Sequence, residues 1–221
     1  MKTITIRTCA LLLALPLCTT ANAENMLGVG AKAGTLGLGV EATWRPFAFM
    51  DFRFGANQYD YDDNGYFGNV NYDAVLNLDT FYITGNFRFP ASPFRLTVGA
   101  YENGNELNGT SGENDPILFI GGDPYPTDAV GTLTKHATFP GTSPYFGVCY
   151  DLTVFGTVGL NLDFGVLWQG SPDVALSADG ALSGDPTFEA SLEAERLLVE
   201  EELSDMKAWP VVSLGFVVNF L

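Results

Sequence analysis

Basic residues are scarce in this chain: 10 Lys and Arg stand against 26 Asp and Glu in 221 residues, a formal charge of −16. A surface of that sign repels a phosphate backbone, so nucleic acid is excluded as a partner. No apolar run approaches the ~18 residues that a membrane-spanning helix needs, so any crossing of a bilayer must be made by strands. Histidine is reduced to His136 alone, and charged residues to 16% of the chain. Plentiful instead are 25 Gly, 17 Phe, 9 Tyr and 3 Trp.

The first 23 residues read as an address. Lys2 and Arg7 precede the apolar run from Ala10 to Leu17, and Ala21-Asn22-Ala23 supplies the small-x-small pattern of signal peptidase, so cleavage is expected before Glu24. A lipoprotein site at Cys18 is disfavoured by the bulk of Leu17. Without this leader, which holds Cys9 and Cys18, Cys149 is the one thiol, and an exported chain so composed has no intrachain disulfide framework.

Residues 24–221 are dominated by alternation with period two, the signature of strands. Leu36, Leu38, Val40, Ala42 and Trp44 interleave with Gly37, Gly39, Glu41, Thr43 and Arg45, and Met50, Phe52, Phe54 and Ala56 with Asp51, Arg53, Gly55 and Asn57. Similar runs cover 81–89, 94–101, 160–169 and 211–220, and weaker ones Leu27 to Ala33 and Tyr145 to Tyr150. A soluble sandwich would bury the apolar phase and expose a face rich in Lys and Glu. A membrane barrel turns the apolar phase to lipid and fills its lumen with small and polar residues. The basic residues decide: Lys32, Arg45, Arg53, Arg88 and Arg95 fall in the polar phase together with Glu41, Asp51 and Asp163, while most other acids lie in long connections. An all-β, antiparallel transmembrane barrel is therefore expected.

Short connections at 45–49, 90–93 and 151–157 alternate with long ones at 61–75, 104–136 and 170–208, as when periplasmic turns are short and outer loops long. Counting back from a periplasmic C-terminus requires an upward first strand at Leu27 to Ala33, which gives eight. Ten would follow if Ile117 to Ile120 and Thr132 to Phe139 crossed the membrane, but Gly121-Gly122-Asp123 favours an external hairpin there.

The C-terminal run Ser213-x-Gly215-x-x-Val218-x-Phe220 matches the polar-x-Gly-x-x-hydrophobic-x-aromatic signal that ends bacterial outer-membrane barrels. With the leader, the alternating strands and the Gly-rich start from Gly34 to Glu41, the chain resembles the small outer-membrane β-barrel proteins of Gram-negative bacteria. The resemblance implies delivery to the barrel-assembly machinery through the last strand; the departure is Leu221, since the family's aromatic is normally final.

Chemistry-bearing residues are few. Enzymatic members of the family use His with Ser, Asp or Asn near the outer rim, and here His136 has only Thr142 and Ser143 as nearby hydroxyls, with Pro140 and Pro144 interrupting the path. A base must lie within about 3 Å of its nucleophile, so no catalytic residues are assigned and no organic cofactor is expected. Asp60-x-Asp62-x-Asn64-Gly65 reproduces the first half of a calcium loop, but its twelfth position is Asn71 rather than Glu. It reads as an acidic outer turn with at most weak affinity for a divalent cation. Asn108-Gly109-Thr110 reads as a turn.

Asp185 and Pro186 are helix-start signals, and Phe188, Leu192, Val199, Leu203 and Met206 form a stripe, so an amphipathic helix over 187–206 is expected. Its other face carries Glu189, Glu193, Glu200 and Glu201, with Glu195, Glu202 and Asp205 nearby. An eight-stranded lumen holds little more than side chains, so this helix is expected to lie across the outer mouth. The functional expectation is a structural or surface-interaction barrel meeting cations, outer-membrane lipids and lipopolysaccharide, or a surface partner. The alternative is a narrow channel for small or apolar solutes. Lys32, Glu41, Asp51, Arg53, Arg88, Arg95 and Asp163 separate the two, pairing as a plug in the first and standing apart in the second.

Overall fold

The computed structural model describes residues 27–67, 70–111, 116–139, 141–154 and 157–220. The expected leader and its expected cleavage point, together with Leu221, lie outside the described residues. In chain order the strands are β1 (Leu27–Gly34), β2 (Gly37–Phe47), β3 (Met50–Phe67), β4 (Val70–Arg88), β5 (Phe94–Asn103), β6 (Glu106–Ser111), β7 (Ile117–Ile120) and β8 (Asp123–Pro126). After the single turn α1 (Thr127–Val130) come β9 (Leu133–Thr138), β10 (Thr142–Val154), β11 (Val158–Trp168) and β12 (Asp173–Ala178), then helix α2 (Pro186–Glu202), a 3-10 turn (Leu203–Lys207) and β13 (Ala208–Phe220).

Eight of these close a barrel. Strands β1, β2, β3, β4 and β5 pair in sequence, β5 pairs with β10, β10 with β11, β11 with β13, and β13 returns to β1 with Leu27 opposite Phe220, all antiparallel. Closure leaves no strand edge, the condition for a sheet in hydrocarbon. Large apolar residues point outward and stay exposed, among them Val40, Phe54, Phe81, Val98, Phe164 and Leu214, while Glu41, Arg53, Asn86, Arg95, Thr97 and Ser213 are buried inside. That is the inverse of a soluble sandwich. Aromatic pairs gird the short-turn end, with Trp44 against Phe52, Phe47 against Phe49, Phe87 against Phe89 and Phe94 against Tyr150, as at a membrane interface.

The connections at the other end hold more order than the sequence reading assigned them. The segment read as a loop at 61–75 is largely strand: β3 and β4 stay in register from Met50↔Phe87 to Phe67↔Val70. Tyr59, Tyr61, Tyr66 and Phe67 favour a pleated backbone, and they outweigh the intervening Asp and Asn that suggested a turn. Asp60, Asp62 and Asn64 thus lie on a ladder rather than a wrapped loop. Asn108-Gly109-Thr110, read as a turn, lies within β6. The 104–136 segment contains β6, the β7–β8 hairpin, α1 and most of β9.

Neither candidate for a ninth or tenth spanning strand enters the barrel. Among the described residues β7 pairs only with β8, and β9 joins β6 and β12 in a sheet that continues the upper half of β4. Strand β6 follows β5 along β4 after a break at Gly104–Asn105, where Gly104 N donates to Asp79 O at 2.8 Å and Asp79 N to Asn105 Oδ1 at 3.1 Å. The wall therefore rises high over β3–β4 and stays low at the two-residue β1–β2 turn.

Candidate functional site: the charged lumen and its cap

Side chains of the polar phase meet inside the barrel as a network of ion pairs. Near the short-turn end Arg88 Nε lies 2.6 Å from Asp51 Oδ2 and its Nη1 2.9 Å from Asp151 Oδ2. Arg95 bridges Asp151 at 2.7 Å and Asp163 at 2.9 Å, and Arg53 meets Glu41 at 2.9 Å. Tyr82 Oη donates to Glu41 Oε2 at 3.0 Å, and Lys32 Nζ stands 3.9 Å from the centre of the Tyr82 ring. The Arg53 and Arg95 guanidiniums are deeply buried, Arg95 at 1% exposure, and Arg88 is half-buried. At such burial an isolated charge is costly and is sustained only by partners with good geometry.

All seven sequence-assigned lumen charges, Lys32, Glu41, Asp51, Arg53, Arg88, Arg95 and Asp163, share this interior. Asp151 joins them: the alternation from Tyr145 stops at Tyr150 and the composition of 151–157 suggests a connection, but the strand runs to Val154. Its phase was readable, since Asp151 follows Tyr145, Gly147 and Cys149 at steps of two. Cys149 is also inside, its Sγ 2.6 Å from Arg95 Nη2.

Toward the other end the filling turns aromatic and then apolar. The Tyr82 and Tyr101 rings stack with centroids 4.8 Å apart and Tyr145 lies 5.2 Å from Tyr101. Gly55 makes room for Tyr82 and Gly165 for Tyr145, because a Cβ at either position would overlap the facing ring. Leu36, Leu167 and Val211 pack on this layer with Trp209. The space left among Lys32, Glu41, Arg53, Tyr82 and their neighbours is about 20 Å³, enough for roughly one water.

Above it the cap is built like a small soluble core. Asp185 Oδ1 accepts from the N–H groups of Thr187 at 2.9 Å and Phe188 at 3.1 Å, the N-cap that the sequence announces. The α2 stripe is buried as expected. Phe188 and Leu192 pack with Leu118, Ile120, Val130 and Leu133, while Leu203, with Val199 and Met206, packs on Ala137 and Val174. The α-helix ends at Glu202 and a 3-10 turn carries the chain on to Lys207.

Lys135 Nζ reaches Glu195 Oε1 at 3.3 Å. Burial under the helix lowers the Lys135 pKa, and Glu195 opposes that shift. Arg196 pairs with Glu193 at 2.8 Å and Glu200 at 2.6 Å on the exposed face; its hydrogen bonds hold the Glu193 carboxyl below the usual carboxylate range. Gln169 ties cap to lumen: its side chain accepts from Asn103 Nδ2 at 3.1 Å and donates to Met206 O at 2.9 Å.

The remaining candidates are not brought together. His136 Nδ1 is 2.6 Å from Asn108 Oδ1, and its cross-strand register with Asn108 places it six positions from the Thr142↔Glu102 pair along the same sheet line, roughly 20 Å in extended chain. Thr142 Oγ1 donates to Glu102 Oε2 at 3.2 Å. Asp60 and Asp62 are exposed on β3, and the Asn64 side chain lies outside the described residues. In the assembly motif Ser213 and Gly215 face inward, Ser213 Oγ donating to Asp163 Oδ2 at 3.4 Å; a Cβ at Gly215 would strike Asn161 Oδ1.

No protein-family model matches this chain, and no curated protein matches it. Solved structures do. CarO2 of Acinetobacter baumannii superposes with a TM-score of 0.61 at 20% identity, over 88% of this chain and 98% of that one. CarO of the same organism gives 0.58 at 19% identity, over 87% and 97%.

Proposed function

From the premise that this chain has the fold of a small outer-membrane β-barrel, we propose that it is a sealed barrel with a structural or surface-interaction role, presenting an acidic cap outside the cell and catalysing no reaction. The observation that carries the reading is the Arg53, Arg88 and Arg95 network with Glu41, Asp51, Asp151 and Asp163, which fills the lumen at ion-pair distance. A conducting path would require those pairs to part, and a buried guanidinium left without a carboxylate in so enclosed an interior costs several kcal/mol. His136, bound to Asn108 and distant from Thr142, is without the neighbouring nucleophile that acyl-transfer chemistry needs.

The charge distribution supports the surface role. Of the eight Lys and Arg after residue 23, Lys32, Arg45, Arg53, Arg88 and Arg95 are spent inside the barrel, leaving Lys135, Arg196 and Lys207 among the many acids of the long connections. A phosphate-rich leaflet meets such a cap only through bridging divalent cations, which neutralise both sides. With short turns and both termini periplasmic, β3–β4, the external sheet and α2 face outward.

Planar-bilayer recording of the refolded mature protein tests the proposal. The expected result is a silent membrane with no unitary steps; regular steps from the unmodified protein would overturn the sealed reading in favour of the channel for small or apolar solutes.

A further inference from the structure

Where the wall is low the molecule has a second, larger cavity of about 310 Å³. Its floor is the β1–β2 turn and the top of β13. Thr35 fixes that floor, its Oγ1 donating to Pro210 O at 2.8 Å and accepting from Val212 N at 3.1 Å. Its back wall is the lumen-phase face of β3 and β4 above the barrel: Tyr59 and Tyr61 from one strand, Leu76 and Leu78 from the other. In a taller barrel these residues would face an opposite wall. Here the β1–β2 hairpin stops short, and Tyr59 and Tyr61 remain 45% and 51% exposed.

The same cavity is also lined by Ala33 and Leu38, which are exposed and belong to the outward phase that meets lipid in the rest of the barrel. It is therefore continuous with the bilayer-facing surface. Its lining is mostly apolar, with Leu76, Leu78 and the Trp209 ring beside the partly polar Thr35, Tyr59 and Tyr61. A volume of about 310 Å³ lies in the range of ligand pockets and is roughly twice that of an engineered apolar cavity that stays dry and takes up benzene.

We propose that this notch is a lipid site: an acyl chain of an outer-leaflet lipid leaves the bilayer over the low β1–β2 wall and lies against Tyr59, Leu76, Leu78 and Trp209. Continuity with the lipid-facing phase identifies the occupant, since an apolar cavity open to hydrocarbon fills with hydrocarbon rather than water. The site goes beyond the sealed-barrel reading, as it lies above the plug and does not depend on conduction.

Trp209 is its own reporter. A protein keeping only this tryptophan (Trp44→Phe, Trp168→Phe) is reconstituted in vesicles of phosphatidylcholine brominated on the acyl chains, beside a protein keeping only Trp168, which faces lipid. Trp209 emission is expected to be quenched to at least half the extent of Trp168. Leu78→Lys, which sets an ammonium in the notch, should remove most of the Trp209 quenching and leave that of Trp168 unchanged. Leu76→Gln should act in the same direction and serves if Leu78→Lys does not refold.

Quenching of Trp209 by aqueous acrylamide but not by brominated lipid would mean a water-filled cleft and would overturn the proposal. So would insensitivity to both quenchers. Bromine quenching that survives in the folded notch variants would mean action through the wall, and would overturn it as well.

Discussion

The lumen and the cap are filled by opposite means. Inside the barrel Arg53, Arg88 and Arg95 are held by carboxylates from distant strands, and the order persists because these three guanidiniums are paired. In the cap Phe188, Leu192, Leu118, Ile120 and Val130 exclude water from one another, and most charges stay on the outside, as on Glu193, Arg196 and Glu200, with the Lys135–Glu195 pair partly buried beneath the helix. The difference follows from the surroundings. The barrel's outer face already meets hydrocarbon, so its apolar residues are satisfied without entering the core, and the interior is left to polar side chains. The cap stands in water, where only burial of its apolar stripe offsets the entropy of ordering it. One chain thus contains a membrane protein's inverted core and a soluble protein's ordinary one.

That contrast can be broken most severely at the closing strand. Deleting Phe220 and Leu221 together should abolish assembly, while deleting Leu221 alone should be tolerated, because Phe220 pairs with Leu27 at the seam and every edge in lipid must be paired. The readout is the gel shift between unheated and boiled samples, with fractionation to the outer membrane. Heat-modifiable protein from the double deletion would remove β13 from its closing role.

The next effect is electrostatic. Arg53→Met leaves Glu41 and its neighbours buried without their cation, a loss of about 3–5 kcal/mol when one partner of a buried pair is removed. It should lower resistance to thermal unfolding in detergent and raise any residual conductance. Unchanged melting together with unchanged conductance would show that Arg53 is not part of the plug.

In the cap, Phe188→Ala removes a side chain at 1% exposure, a truncation that costs about 3–5 kcal/mol in a packed core. The loss should remain local: residues 170–208 become open to protease while the barrel keeps its gel shift. Simultaneous loss of both would mean that cap and barrel fold as one unit.

The smallest effect is expected at Glu193. The Arg196 interaction depresses its carboxyl, so its contribution is present above the ordinary carboxylate range and fades as pH falls below it. The pair is solvent-exposed and therefore weak. Glu193→Gln should leave the protease resistance of the cap unchanged at neutral and acid pH, and a measurable change would mean that α2 is held by its charges rather than by its apolar stripe.

Strand phase was the legible part. Leu38, Val40, Phe54 and Phe81 could be assigned to the outside and Glu41, Arg53 and Arg95 to the inside from alternation alone, since a strand's period of two leaves only two faces to choose between. The helix was equally plain from Asp185, Pro186 and the Phe188–Leu192 spacing. Loop segments were misread where polar residues lay between aromatics, as at Tyr59 to Phe67, because turn-forming composition is local while the pairing that makes β3 and β4 a long ladder is not. Asp151 was lost for the same reason, as a strand end is defined by its neighbours.

By its own order of residues the chain determined the faces of its strands, the sign of its surface and the start of its helix, all of which rest on near-neighbour periodicity and composition. Tertiary structure alone decided that Arg95 would meet Asp151 and Asp163, 56 and 68 positions away, and that the wall would stand high at β3–β4 and low at β1–β2. Those outcomes depend on how the closed sheet sets register between strands remote in sequence, and no local pattern encodes which carboxylate a guanidinium will reach once the barrel has closed.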